Sequence, residues 1–194
     1  MRFERAVVAS KNPDKIAEVE DVLRAEEVVG EIVRGLDWPD VEEDAPTLEG
    51  NARLKAHAVA GATGLVAIGD DTGLEVEMLD GAPGVHSARF AGPAASYAEN
   101  VRKLLDLMEG ATDRRARFVT VVAVVDPATS REWTARGSVT GRITPAPRGA
   151  GGFGYDPVFE VGSRTLAEMT PGEKHAVSHR GRAIRAIADL LSKE

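Results

Sequence analysis

Two short runs of the chain, Ala6-Val7-Val8-Ala9 and Leu65-Val66-Ala67-Ile68, are continuously apolar and then stop at polar clusters. A run without polar alternation has no wet face, so each reads as a strand buried on both sides. Strands of that kind need helices to cover them, and the intervening sequence supplies helical patterns. After Ser10-Lys11, Asn12 can cap and Pro13 suits the first helical position, and Ile16, Val19, Val22 and Leu23 recur at helical spacing. A second strand is read over residues 28–33. Thr47 then caps a helix carrying Leu54, Ala56, Ala58 and Val59, closed by Gly61 and Gly64.

The pattern changes further on. The third strand is expected to end abruptly at Asp70-Asp71-Thr72-Gly73; Leu74, Val76 and Met78 then alternate with Glu75 and Glu77 as a strand with one wet face. A helix over residues 96–108 presents Val101, Leu104, Leu105 and Met108. Residues 118–125 form the strongest strand, and residues 133–139 pair with it as a hairpin. A Gly/Pro-rich loop over residues 144–157 precedes a final helix carrying Ile184, Ile187, Leu190 and Leu191. Strands and helices alternate early and the middle reads as antiparallel, which is an α/β protein with a mixed sheet.

At 194 residues the chain suits one domain, with room for two lobes, better than two independent domains. Its 43% hydrophobic and 28% charged residues are those of an ordinary soluble protein, and no apolar run approaches the ~18–20 residues needed to span a bilayer. Met1-Arg2-Phe3-Glu4-Arg5 leads straight into a strand-like run, not a signal-peptide apolar region. The absence of cysteine excludes disulfides, thiolate metal sites and a cysteine nucleophile. A cytoplasmic protein is the simplest reading.

The net charge of −7 is unevenly placed. Residues 1–50 hold 14 acidic and 6 basic side chains; the remaining 144 hold 17 and 18. An acidic total argues against a general nucleic-acid partner, which needs a basic face. Six acids (Asp37, Asp40, Glu42, Glu43, Asp44 and Glu49) fall within residues 37–49 with no Lys or Arg among them. They read either as a solvated loop or as a divalent-metal site, since Mg²⁺ takes one or two carboxylates and leaves its other positions to water and phosphate.

Four polar clusters lie at the ends of apolar elements, where α/β proteins tend to place ligands. Ser10-Lys11-Asn12-Pro13-Asp14-Lys15 joins a strand to a helix N-terminus, which is either a capped turn or an anion site, but not a Walker-type phosphate loop. Asp70 and Asp71 repel each other beside a buried strand; a bound cation would relieve that, as would one acid capping a turn while the other faces water. Gly151-Gly152-Phe153-Gly154-Tyr155-Asp156-Pro157 sets two aromatics among glycines, either a turn anchored in the core or a backbone that a flat base can approach and stack on. Lys174, Ser178, His179 and Arg180 lead into the last helix, as incidental surface residues or as a binder of a purine edge or phosphate.

In this order the blocks resemble the inosine triphosphate pyrophosphatase family, enzymes that hydrolyse non-standard purine nucleoside triphosphates. The resemblance is carried by Ala9 through Lys15 with Glu18; by Thr47-Leu48-Glu49-Gly50-Asn51-Ala52 with Lys55-Ala56; by Asp70-Asp71-Thr72-Gly73-Leu74 through Gly81-Ala82-Pro83-Gly84 to Ser87-Ala88-Arg89; by Gly152 through Pro157; and by Lys174 with Ser178-His179-Arg180. Five blocks in register are far more specific than any one of them.

The resemblance implies an elongated mixed α/β sheet with flanking helices and two lobes around a central cleft, the whole chain forming one pyrophosphatase domain and commonly a homodimer. It implies cleavage of ITP, dITP or XTP to the monophosphate and pyrophosphate with Mg²⁺. By the same resemblance Ser10, Lys11, Asn12, Pro13, Asp14, Lys15 and Lys55 hold the triphosphate, and Glu43 and Asp71 serve the metal. Asp71 also accepts the proton of the attacking water, with Thr72 beside it contacting substrate. Phe153 stacks on the base, and Gly154, Tyr155, Asp156, Lys174, His179 and Arg180 line the nucleotide pocket. Donors such as Arg180 would favour a 6-oxo purine over adenine, while exclusion of GTP needs a further term at its 2-amino group. Ala45-Pro46 departs from the family's usual residues beside Glu43, which leaves Glu42 and Asp44 as competing ligands. A non-catalytic purine-nucleotide-binding or sensor protein is the alternative, although a mere binder gains little from two acids beside its anion.

Overall fold

The computed structural model describes residues 3–193, so Met1 and Arg2, read as the lead into the first strand, lie outside the described residues. The elements in chain order are β1 (Phe3–Val8), α1 (Pro13–Ala25), β2 (Val29–Ile32), α2 (Leu48–Thr63), β3 (Val66–Val76), β4 (Pro83–Gly84) and α3 (Tyr97–Leu107). They are followed by β5 (Arg115–Asp126), β6 (Arg131–Ile143), β7 (Phe159–Val161), β8 (Arg164–Thr165), α4 (Pro171–Val177) and α5 (His179–Leu191). The strands form one mixed sheet in the order β2-β1-β3-β5-β6-β7-β8, with β4 paired to β3. β1 runs parallel to both β2 and β3, as buried βαβ strands do, whereas β7 runs antiparallel to β6 and β8. The α/β class with a mixed sheet is therefore as expected.

The helix starts follow from local chemistry. The Asn12 side-chain oxygen accepts from the backbone N–H groups of Asp14 and Lys15 at 3.0 and 3.2 Å, and Pro13 opens α1. Thr47 caps α2 through the Gly50 N–H at 3.1 Å, and α2 ends at Gly64 in the left-handed conformation, with φ +68°. Gly61 stays inside the helix, where the sequence placed a stop. Leu54 and Ala58 are exposed, so the buried stripe of α2 is carried by Ala52, Ala56, Val59 and Ala60 instead.

The larger correction concerns β3. The strand does not stop at the acids: it continues through Asp70 and Asp71 to Val76, so the expected pair of strands is one. Met78 falls in a following 3-10 turn and is exposed. Cations delivered by three helices neutralise the two carboxylates in place, as described below, so the backbone need not leave the sheet to hydrate them. The four residues 127–130 join β5 and β6, neighbours in the sheet, and a connection that short requires the expected hairpin.

The chain divides into two compact units. The first comprises residues up to Asp71, Thr120–Gly137 and the chain from His179 on. Its core packs Val19, Val22 and Leu23 of α1 and Ala183, Ile184 and Ile187 of α5 against Ala6, Val8, Ile68, Val122 and Val124 of the sheet. The second comprises Thr72–Val119 and Ser138–Ser178, with a core of Leu74, Val76, Leu104, Met108, Phe118, Ile143, Tyr155, Phe159 and Leu166.

Two glycines set helices close to strands in the first unit. A side chain on Gly69 would meet the Ala52 carbonyl of α2 at 2.4 Å, and one on Gly137 would meet the His179 carbonyl of α5 at 2.1 Å. Only glycine permits that approach, and it brings the polar residues of α2 and the start of α5 down onto the strands.

Candidate active site

Successive side chains of a strand point to opposite faces, so Asp70 and Asp71 on β3 do not share one environment. Ile68 packs in the core built with α1 and α5, and Asp70 shares its face; Gly69 lies against α2, and Asp71 shares that face. Both acids are buried.

On the first face, Arg180 at the start of α5 is 2% exposed and donates from Nε to Asp70 Oδ2 at 3.2 Å and from Nη1 to Glu18 Oε2 at 2.6 Å. Lys15 of α1 brings its Nζ to 3.5 Å from Asp70 Oδ1, an ion pair without hydrogen-bond geometry, so that this buried oxygen has no hydrogen-bond partner. Burial would raise the Asp70 carboxyl, but Lys15, Arg180 and Lys55 outweigh it and hold it at about 2. Burial also pulls the Lys15 ammonium below its ordinary value, against the attraction of Asp70 and with the repulsion of Lys55 and Arg180. An anion with several oxygens would relieve that repulsion.

On the second face, Asn51 and Lys55 are four residues apart on α2 and so lie on one side of it. Asn51 Nδ2 donates to Asp71 Oδ2 at 3.2 Å, while its own oxygen accepts from the Ala45 N–H at 3.0 Å. Lys55 Nζ donates to Glu43 Oε2 at 2.8 Å and to Asp71 Oδ1 at 3.3 Å. Burial lowers the Lys55 ammonium, yet Asp71, Asp70 and Glu43 together hold it above the ordinary lysine value. Asp71 goes the other way from Asp70: burial, with Glu43 adding to it, raises its carboxyl despite Lys55 and Lys15. Adjacent carboxylates whose proton affinities are pushed apart are the arrangement expected of an acid–base site.

The second unit holds its own polar group. Asp156 is buried, and its Oδ2 accepts from the Phe153 N–H at 2.8 Å and from Lys174 Nζ at 2.7 Å. A side chain on Gly152, at φ +68°, would strike that same oxygen at 2.2 Å, so the bare turn is what lets Asp156 hold the Phe153 backbone. Lys174 Nζ also sits 4.9 Å from the centroid of the Phe153 ring, which is only partly buried.

A profile of the Ham1 family matches residues 6–190, nearly the whole chain. The chain belongs to the Ham1 family. It is 48% identical to a dITP/XTP pyrophosphatase of Chlorobaculum tepidum over 96% of this chain and 92% of that one. It is 43% identical to a dITP/XTP pyrophosphatase of Staphylococcus epidermidis, covering 99% and 98% of the two chains. A solved HAM1 protein from Coxiella burnetii superposes with a TM-score of 0.86 at 39% identity, covering 99% of this chain and all of that one.

Within this Ham1 chain, the residues read from the sequence fall into distinct settings. In the first unit Lys15 pairs with Asp70, and Lys55 brings Glu43 and Asp71 together; in the second, Phe153, Asp156 and Lys174 meet. Of the competing acids, Glu42 and Asp44 are exposed and Glu43 is the one aimed at Lys55. Ser10 accepts from the Asn12 N–H and Asn12 caps α1, with Pro13 and Asp14 exposed in its first turn. Lys11 pairs with Asp40 on the surface. Thr72 lies half-buried on β3 and Gly154 takes a φ of +62°. His179 is buried with Nδ1 2.6 Å from the Thr120 hydroxyl oxygen. Tyr155 is a core residue rather than an open aromatic: it is 5% exposed, and its hydroxyl donates to the Ser87 carbonyl at 3.0 Å. Burial accordingly pushes the Tyr155 phenol well above its ordinary value. Arg180, read as a donor to the base, spends Nε and Nη1 on carboxylates. Asn51 has no role in the sequence reading, although its four-residue spacing from Lys55 is a visible signal; Thr120 carries none.

Proposed function

We propose that this chain hydrolyses the non-standard purine nucleoside triphosphates ITP, dITP and XTP to the monophosphate and pyrophosphate, removing them from the nucleotide pool. The observation that carries the reading is the pair Asp70 and Asp71, with opposite proton affinities, set beside Lys15 and Lys55. Its relatives in the Ham1 family bear the name of that activity over nearly the full chain. A sensor would have no use for a carboxylate with raised proton affinity next to its phosphate ligands.

Each side chain then has a task. Lys15 and Lys55 meet the phosphate oxygens, and Asp70, itself fixed by Arg180, holds Lys15 in place. Asp71 takes the proton from a water whose oxygen bonds to the α-phosphorus as the bond to the bridging oxygen breaks and pyrophosphate departs. Phe153 offers its ring to the purine, over a backbone fixed by Asp156 and Lys174.

The reading includes Mg²⁺. Among the described residues no group of three or more His, Cys, Asp or Glu side chains is placed to hold a metal. Two carboxylates, Glu43 and Asp71, meet at Lys55 Nζ, and this donor set fits an ion that takes one or two acids and fills its other positions with water and phosphate. When bound, the ion would neutralise charge on the phosphate oxygens. The reading also includes a homodimer in the cytoplasm; no helix among the described residues is long and apolar enough to cross a membrane.

Lys15→Ala is expected to raise KM by about tenfold to a hundredfold with a smaller change in kcat, the size of a lost charge-assisted contact. An unchanged KM removes Lys15 from the phosphate site. The reading as a whole is tested by kcat/KM across ITP, dITP, XTP, ATP and GTP. The first three are expected to exceed ATP and GTP by about a hundredfold or more, and equal turnover of ATP contradicts the assignment.

A further inference from the structure

The ring of Phe153 is not a core ring. It borders a groove of about 560 Å³ whose walls include Val101, Leu105, Pro147 and Pro157, so packing on that side does not fix its orientation. Its backbone is held by Asp156, but a side chain still turns about its own bonds. The Tyr97 ring packs against it, with centroids 5.9 Å apart and planes inclined at 39°.

Tyr97 is itself well placed to act as a fixed point. It is the first residue of α3, directly after the Ser96 cap. The Ser96 hydroxyl accepts from the Glu99 N–H at 3.3 Å, while Glu99 Oε2 accepts from the Ser96 N–H at 2.8 Å and its hydroxyl at 2.7 Å. One turn on, buried Asn100 accepts from the Ala91 N–H at 2.7 Å and donates to the Ala88 carbonyl at 3.0 Å, which ties the same turn to the preceding loop. Tyr97 is 41% exposed, so its ring flanks Phe153 from the surface side of α3 rather than from the core.

We infer that Tyr97 is a positioning residue for the base site, holding the Phe153 ring at the orientation in which it stacks on the purine. This rests on the reading of Phe153 as the stacking residue. The tilted pair keeps the ring from rotating into the groove, so the ordering is in place before the nucleotide arrives. Tyr97 acts on base recognition alone and has no part in phosphate binding or in proton transfer.

The test measures ITP hydrolysis by Tyr97→Ala, Tyr97→Phe, Phe153→Ala and the double Ala variant, together with inhibition by inorganic tripolyphosphate. Tyr97→Ala is expected to raise KM for ITP about threefold to tenfold, with kcat within about twofold and tripolyphosphate inhibition unchanged. Tyr97→Phe restores the wild-type KM because the contact is made by the ring. In the Phe153→Ala background the Tyr97→Ala change adds nothing further. If Phe153→Ala raises KM and Tyr97→Ala does not, the positioning role is wrong while the stacking reading stands. If Phe153→Ala leaves KM unchanged, the stacking reading itself fails. A Tyr97→Phe variant as weak as Tyr97→Ala, or a parallel loss of tripolyphosphate inhibition, also overturns the inference.

Discussion

Asp71→Asn is expected to lower kcat by about 10²–10⁴-fold while leaving nucleotide binding within about tenfold of wild type. The amide keeps the volume and can still accept from Lys55, whose ammonium also retains Glu43. What it loses is the capacity to accept a proton and a negative charge for the metal. The wild-type pH profile carries the same signature. Burial raises the Asp71 carboxyl, and a base works only when deprotonated, so kcat/KM should climb with pH as Asp71 loses its proton. The variant's residual activity should lack that limb. Turnover near wild type in Asp71→Asn would remove Asp71 from the chemistry.

The second large effect is on stability. Arg180→Met leaves Glu18 and Asp70 buried without their shared cation, and breaking a buried ionic network costs about 3–5 kcal/mol. With total stability of about 5–15 kcal/mol, that is a large share, and for a domain of this size it lowers Tm by about 6–20 °C. Removing Arg115, whose pair with Asp113 is on the surface, should leave Tm almost unchanged. The acid limb is predictable in sign as well. Asp70 sits at about 2 in the folded chain against about 4 unfolded, so its stabilisation is complete above about pH 4 and is lost as pH falls towards 2. In Arg180→Met that limb shrinks. A variant that melts with wild type and loses only affinity for the purine would instead make Arg180 a donor to the base.

What was legible in the sequence was local. Asn12-Pro13 and Thr47 announce α1 and α2 because a cap is a contact between near neighbours. Thr170-Pro171 with Glu173 carries the same local signal, a capping box that opens α4. The continuation of β3 through two acids was not legible, because it depends on Lys15, Lys55 and Arg180 arriving from three helices. Burial on a helix face was read too broadly: Leu190 has the right spacing on α5 and is 39% exposed. The site residues were named through the family resemblance; residue types alone left every cluster with an ordinary alternative. The fold then separated them, turning Tyr155 into the core and pairing Arg180 with Glu18 and Asp70. The acidic excess of the first fifty residues changes meaning too. Glu18 and Glu43 answer Arg180 and Lys55, cations from beyond residue 50, so part of it is internal neutralisation rather than solvated charge.

In the proposed reaction water attacks the α-phosphorus of a non-standard purine triphosphate. The most direct measurement is ITP hydrolysis with Mg²⁺ in ¹⁸O-labelled water, followed by phosphorus NMR and mass analysis of the products. IMP and pyrophosphate are expected in equal amounts, with the label in IMP. Orthophosphate with IDP, or label in pyrophosphate, would contradict that reaction.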